Sequence, residues 1–402
     1  MAETQPLRVL IVRFGSTPVT FLNRLVTGLA AADIYVSIAG DKRAHPQIMT
    51  IDNVDLLWAP SWKGNFIVKA SRLIALLFTH FSTHRLRWLF TQLQSSKSLS
   101  KAFFRLYQYL PFMKGEWDVI YFPWNSTAIE YQGLYDLGMP VVVSCRGSQV
   151  NIRPHLPGQE AYTKGLRASL QKAAAVHCVS ADLQQTVVNL GVHPDQCRII
   201  RPAVDPDFFR SPSQPPNNAR FTLVTTGSLI WRKAYETMLM ALRHLVDAGV
   251  DAELHIIGQG PERQNILFTM DDLGLTARVT LQGRLTPSEV RNQLHKADCF
   301  VLSSVSEGIA NAVLEAMSCG LPVVTTDCGG MREAVTDGVE GFVVPLREPH
   351  RIACALEKLA ADPSLQRQMG VAGRKRILQD FVLDQQVEQF IDLFQRISKN
   401  SA

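Results

Sequence analysis

Apolar residues fall along the chain in two arrangements. Short, mainly apolar runs occur at 7–12, 34–39, 118–122, 140–145, 175–179 and 197–201, and again at 221–226, 253–257 and 279–281. Between most of them, apolar side chains recur every three or four positions, as at 160–173, 181–190 and 234–248. Such runs predict strands buried on both faces, and the periodic stretches predict the helices that cover them. Strand and helix in alternation predict an α/β chain with parallel sheets. The stretch 298–345 repeats the order three times over, with runs CFVL, LPVVT and GFVV separated by one helix-length piece and a Gly-Gly turn. Helices are expected beyond it at about 349–361, 364–378 and 383–397.

The alternation breaks twice. Residues 56–115 carry helical periodicity without strands. Phe66, Ala70, Leu73, Ile74, Leu77 and Phe78 share one helical face, then Leu86, Leu89, Phe90 and Leu93, then Phe103, Leu106, Tyr107 and Leu110. Residues 205–218 hold four prolines and no periodicity, so 205–219 is expected to be a linker. The expected organisation is a domain over 1–204 with a helical insertion at about 56–115, and a second domain over 220–382.

Composition narrows the class. With 402 residues, 46% hydrophobic and 19% charged, the chain suits a globular protein of two or three domains. No apolar run approaches the ~18 residues of a membrane span. The opening residues show no basic stretch followed by an apolar core, so no signal peptide is expected. Seven cysteines without a C-x-x-C pair are expected to be reduced thiols, which points to the cytoplasm.

Charge is unevenly spread. Residues 1–205 hold 21 Lys and Arg against 13 Asp and Glu, whereas 206–402 hold 20 against 23. Between Asp55 and Glu116 there are nine basic residues and no acid. Basic amphipathic helices suit peripheral attachment at the inner face of a membrane. A helical insertion packed on its own domain, with a solvated basic face, explains the pattern equally well.

Candidate chemistry concentrates after the run at 299–302. The next loop carries Glu307, Gly308, Ile309 and Ala310, and a helix is expected from about Asn311, a residue type suited to a cap. Glu315 follows just over one turn later. Loops beyond the carboxyl ends of parallel strands, running into helix N-termini, are where α/β sheets hold anions such as phosphate. Glu315 is placed to accept ribose hydroxyls, and Glu307 to reach a sugar beyond the phosphates. The chain has no G-x-G-x-x-G and no G-x-x-x-x-G-K-[ST], which argues against a dinucleotide enzyme and a P-loop enzyme.

Several segments together resemble retaining glycosyltransferases of family 4. They are G-S-L-x-x-R-K at 227–233, I-I-G-x-G-P at 256–261, the E-x7-E segment from Glu307 to Glu315, G-G-x-x-E at 329–333 and P-A-V-D-x-x-x-F at 202–209. The resemblance implies the GT-B fold, two Rossmann-like domains facing across a cleft, with the C-terminal helix (383–402) crossing back to the first domain. It implies transfer of a hexose from a nucleotide-diphosphate sugar, held by the second domain, to an acceptor hydroxyl held by the first. Lys233 and Arg232 are then the cations on the diphosphate, Glu307 the carboxylate on the sugar and Glu315 the ribose ligand. Gly308, Ile309, Ala310 and Asn311 would supply backbone donors. Gly15 and Arg146 are the expected contributions of the first domain to the donor, and no metal or other cofactor is required.

The sequence departs from the family at two places. Ser228 stands where Arg is usual, so Arg232 is expected to substitute. Arg146-Gly147-Ser148-Gln149 replaces an H-G-x-D run, and its arginine suits phosphate or an anionic acceptor. Asp205-Pro206-Asp207 resembles a metal-binding D-x-D but coincides with the family's hinge. The basic insertion points to a lipid-linked or polysaccharide acceptor, with an anionic membrane surface as a further partner and no nucleic acid. Two other readings stay open: epimerase-type chemistry on a nucleotide-sugar, and a binding protein that has lost catalysis.

Overall fold

The computed structural model describes residues 6–14, 20–40, 50–59, 66–77, 83–94, 98–113, 115–214, 216 and 218–399. The chain forms two compact units, one of Met1–Cys178, Gln184–Ile200 and Val387–Ala402, the other of Val179–Leu183 and Arg201–Gln386.

The first unit opens with β1 (Arg8–Phe14), α1 (Thr20–Ala31), β2 (Tyr35–Gly40) and β3 (Val54–Trp58). Three helices follow, α2 (Phe66–Leu77), α3 (Thr83–Gln94) and α4 (Leu99–Tyr109). Along the chain come β4 (Val119–Phe122), α5 (Asn125–Glu130), β5 (Val141–Cys145), α6 (Ser148–Asn151), α7 (Glu160–Lys172), β6 (Ala175–Cys178), α8 (Ala181–Asn189) and β7 (Cys197–Ile199). The seven strands form one sheet in the order β3-β2-β1-β4-β5-β6-β7, every pair parallel. Val9 to Val12 and Val119 to Phe122 are fully buried, as strands covered on both faces must be.

β3 takes residues 56–58 out of the stretch expected to be helical throughout. It is an edge strand with partly exposed side chains and an exposed Asp55, so it lacks the apolar run of an inner strand. The three helices of the insertion do form, and their apolar faces divide. Trp88 is buried, donates Nε1–H to the Gly133 carbonyl at 2.9 Å, and packs edge-on against Tyr109. Ile67 and Ile74 of α2, and Leu86 and Phe90 of α3, stay exposed, Ile67 by 76% and Phe90 by 61%.

The second unit contains β8 (Phe221–Thr226), α9 (Tyr235–Asp247), β9 (Ala252–Ile257), α10 (Arg263–Asp272), β10 (Val279–Gly283), α11 (Pro287–Leu294) and β11 (Cys299–Leu302). It continues with α12 (Asn311–Ser318), β12 (Val323–Thr326), α13 (Met331–Ala334), β13 (Gly341–Val344), α14 (Pro349–Ala361) and α15 (Pro363–Asp380). Its six parallel strands run β10-β9-β8-β11-β12-β13. The order reverses between β8 and β11, so the crevice beyond their carboxyl ends is where such a sheet binds ligands.

The stretch expected as a linker is packed into this unit. Phe209 belongs to the buried core, and Arg374 donates to the carbonyls of Pro206 and Phe209. Prolines remove helical periodicity there, but the two adjacent phenylalanines anchor the segment. Asp205 closes the turn by accepting the N–H groups of Asp207 and Phe208.

The last helix, α16 (Leu383–Lys399), lies on the first sheet through its later turns. Phe390 and Phe394 each stand 5.6 Å from the Tyr121 ring. Phe390 also covers His177, whose Nε2–H donates to the Ile200 carbonyl while Nδ1 accepts from the Ser144 hydroxyl. Burial, reinforced by the charge of Arg146, lowers the His177 pKa to about 3. The unfolded ring titrates near 6.5, so between those values the unfolded chain binds the extra proton. Stability therefore falls as pH drops from about 6.5 toward 3. Urea denaturation at pH 7.5 and pH 5 should show this loss, and His177→Gln should flatten the difference between the two.

Candidate functional site

The reversal point of the second sheet brings together two loops that are far apart in sequence. After β8 the chain turns through Gly227 and Ser228, makes one 3-10 turn over Trp231–Lys233, and enters α9. After β11 it passes through Glu307 and enters α12. Ser303 joins the two, its hydroxyl 2.8 Å from the Lys233 carbonyl and 2.9 Å from that of Ala234. Val305 N–H donates to the Arg232 carbonyl at 2.8 Å.

These ties set two cations against one carboxylate. Lys233 Nζ lies 2.7 Å from Glu307 Oε1, and Arg232 Nη1 lies 3.6 Å from Oε2. Glu307 is only 8% exposed. Oε1 is buried against the ammonium, a contact at charge-assisted hydrogen-bond distance. Tyr235 stands alongside, its hydroxyl 3.3 Å from the Gly227 carbonyl, and burial followed by the Glu307 charge raises its pKa.

Glycines make the close approaches possible. Gly258 has φ +153°, and a Cβ there would fall 1.8 Å from the Gly227 carbonyl oxygen. Gly329 has φ +57°, and a Cβ there would fall 2.0 Å from the Glu307 carbonyl oxygen. Gly330 N–H then donates to the Gly308 carbonyl at 2.7 Å. The Gly329-Gly330 turn is thus the floor on which the Glu307-Gly308 loop rests.

The start of α12 differs from the expectation in one respect. Ala310, not Asn311, is the N-cap, and no side chain caps the helix. Asn311 is the first helical residue and is exposed, because the extended residue before it is already Ala310 at ψ 115°. Ala310 N–H points at Met331 Sδ, 3.4 Å away. The N–H groups of Gly308, Ile309 and Asn311 have no protein acceptor among the described residues. Uncapped donors at a helix start favour an anion. Glu315 is half-buried one turn into the helix, and Ser228 is exposed at the mouth of the turn after β8.

The remaining expected residues belong to the first unit. Gly15 lies outside the described residues. Arg146 follows β5, with its guanidinium stacked 3.6 Å over the Phe21 ring and 3.5 Å from the Tyr121 hydroxyl. It pairs with no carboxylate among the described residues. Gln149 accepts the Ser126 N–H and so serves its own domain.

Sequence reasoning assigned no role to Ser303, Tyr235 or Glu333. Glu333 accepts the N–H groups of Ala181 and Asp182 and a two-pronged bond from Arg201, at 2.8 and 3.1 Å. It ends the G-G-x-x-E run, and that was its only signal. No group of three or more His, Cys, Asp or Glu among the described residues is arranged to hold a metal ion.

Removing one partner of a buried ion pair leaves the other uncompensated. Lys233→Met should lower stability by about 2–4 kcal/mol in urea denaturation. Lys233→Met/Glu307→Gln should recover most of that loss, since no buried charge is then left unpaired.

Comparisons with known proteins bear on the family and the fold. The family model described as Glycosyltransferase Family 4 matches residues 19–208, and that of Glycosyl transferases group 1 matches 208–376. The lipopolysaccharide core biosynthesis glycosyltransferase LpsE of Rhizobium meliloti is 29% identical over 191 residues, 48% of this chain and 53% of the relative. The D-inositol 3-phosphate glycosyltransferase of Frankia alni is 29% identical over 244 residues, 56% of this chain and 59% of that one. The chain spans about half the length of the curated relatives it matches. Among solved structures, Anabaena HepE in complex with UDP has a TM-score of 0.71 at 14% identity, covering 97% of this chain and all of that one. Sucrose-phosphate synthase from Thermosynechococcus elongatus has a TM-score of 0.73 at 17% identity, covering 98% and 100%. With its two Rossmann-like domains and matches to both family models, the chain belongs to the group 1, family 4 glycosyltransferases of GT-B fold.

Proposed function

We propose that the protein is a metal-independent, retaining glycosyltransferase that moves a hexose from a nucleotide-diphosphate sugar to an acceptor hydroxyl. The observation that carries this reading is the pairing of Lys233 and Arg232 with Glu307 beside the uncapped start of α12. In the reaction the bond from the sugar's anomeric carbon to the diphosphate oxygen breaks, and the acceptor oxygen bonds to that carbon from the same face. The acceptor's proton passes to the leaving diphosphate. Lys233 and Arg232 take up the charge that develops there, together with the N–H groups of Gly308, Ile309 and Asn311. The cations supply the charge that a metal would otherwise bring.

Glu307 is the acceptor for a hydroxyl of the transferred sugar. Glu315 is the acceptor for the ribose hydroxyls. Ser228 lines the entry to the diphosphate, and Arg232 supplies the charge that an arginine at that position would. The UDP named in the HepE structures supports a nucleotide-sugar donor.

The acceptor is lipid-linked or a polysaccharide at a membrane surface. What supports this is the exposed set Ile67, Ile74, Leu86 and Phe90 in a stretch with nine basic residues and no acid. No described helix is long and apolar enough to cross a membrane, so the contact proposed is interfacial.

Glu307→Gln should keep its fold and lose at least about a hundredfold in nucleotide release coupled to acceptor glycosylation. Full activity in that variant would overturn the assignment. EDTA should leave the rate unchanged. Ile74→Asp/Phe90→Asp should weaken sedimentation with vesicles containing phosphatidylglycerol by about tenfold or more, while binding to neutral phosphatidylcholine vesicles stays weak for both proteins.

A further inference from the structure

The first unit contains a cavity of about 610 Å³ between the helical insertion and the body of the domain. Its size lies within the ~300–1,000 Å³ common for ligand sites. One wall comes from α3 and α4, and the other from α5, α7 and the 3-10 turn at Gln132–Leu137.

The place of the cavity separates it from the chemistry. α5 starts just beyond the carboxyl end of β4, and the cavity is lined by Ile129 and Glu130 at the far end of that helix. α7 leads into the amino end of β6, and it lines the cavity with Ala168, Ser169 and Lys172 from its last turn. The cavity therefore lies at the edge of the sheet opposite the one where parallel sheets bind substrates.

Its lining is polar and mixed. Carboxamides come from Gln92, Gln108 and Gln132, and carboxylates from Glu130 and Asp136. Lys101, Arg105 and Lys172 bring positive charge, while Phe104 and Ile129 bring apolar surface. Several of these groups are held by the protein itself. Gln108 is buried and donates to the Glu130 carbonyl, Gln132 donates to the buried Ser169 hydroxyl, and Lys172 pairs with Asp136. An apolar ligand would find little matching surface, and a polyanion would meet two carboxylates. Sugar hydroxyls donate and accept at once, so they suit a lining that offers both.

We propose that this cavity is a second, non-catalytic saccharide site that holds a stretch of the acceptor's sugar chain. That role for the ligand rests on the glycosyltransferase reading; saccharide binding itself does not.

The test uses the full chain and saturation-transfer NMR with three probes: maltohexaose, cellohexaose and chitohexaose. Ala168 is exposed on α7 and lines the cavity, so Ala168→Trp fills it without entering the core. Gln132→Leu serves as a second variant. At least one probe should bind the wild type, and both variants should weaken it about tenfold or more. Thermal protection by whichever of UDP, GDP, ADP and dTDP stabilises the wild type should be the same in all three proteins. Failure of all three probes to bind the wild type, or binding that survives both substitutions, overturns the proposal. Saccharide binding without any protection by a nucleoside diphosphate would instead leave the cavity assigned and remove the transferase reading.

Discussion

The second unit is arranged around a buried pair of opposite charges, Lys233 and Glu307, 2.7 Å apart at the point where the strand order reverses. Such a pair is a poor source of stability, because desolvating two ions offsets most of their attraction, and apolar residues of the same volume would serve as well. Its presence is better explained by a ligand. A site that must neutralise a diphosphate needs cations already aimed, and aimed cations need a carboxylate to hold them while no ligand is bound. Glu307 is that carboxylate, orienting Lys233 and balancing its charge.

The surroundings follow from holding that pair in place. Ser303 fixes the Lys233 turn to the end of β11, and Gly258 and Gly329 let neighbouring backbones approach where any side chain would collide. Ala310 leaves the start of α12 without a side-chain cap, so its N–H groups remain available beside the pair. A Ser or Asp at that position would satisfy those donors internally and remove the attraction for an anion.

Much of this was legible in the residues. Short, mainly apolar runs marked the inner strands, and the loop carrying Glu307 stood out as small residues between a strand and a helix. The resemblance to family 4 pointed to Lys233 and Arg232. What was not legible depends on contacts distant in sequence. Lys233 and Glu307 are 74 residues apart, and only the adjacency of β8 and β11 makes them a pair. β3 was hidden because an edge strand needs no continuous apolar run. The prolines of 205–219 suggested a free linker, but Phe209 binds that segment into the core. Helical periodicity in 66–110 identified amphipathic helices without revealing that Trp88 faces the domain and Phe90 faces outward. The stacking of Arg146 on Phe21 joins residues 125 positions apart and leaves no trace in local pattern.

The most direct test is calorimetric titration of the wild type and of Lys233→Met with UDP, GDP, ADP and dTDP, each with and without EDTA. If the Lys233–Glu307 pair is the core of a diphosphate site, one of these should bind the wild type, indifferent to EDTA. The same ligand should then bind Lys233→Met at least about tenfold more weakly, a loss of about 1.4 kcal/mol. Binding of equal strength to both proteins, or binding that disappears with EDTA, would contradict it.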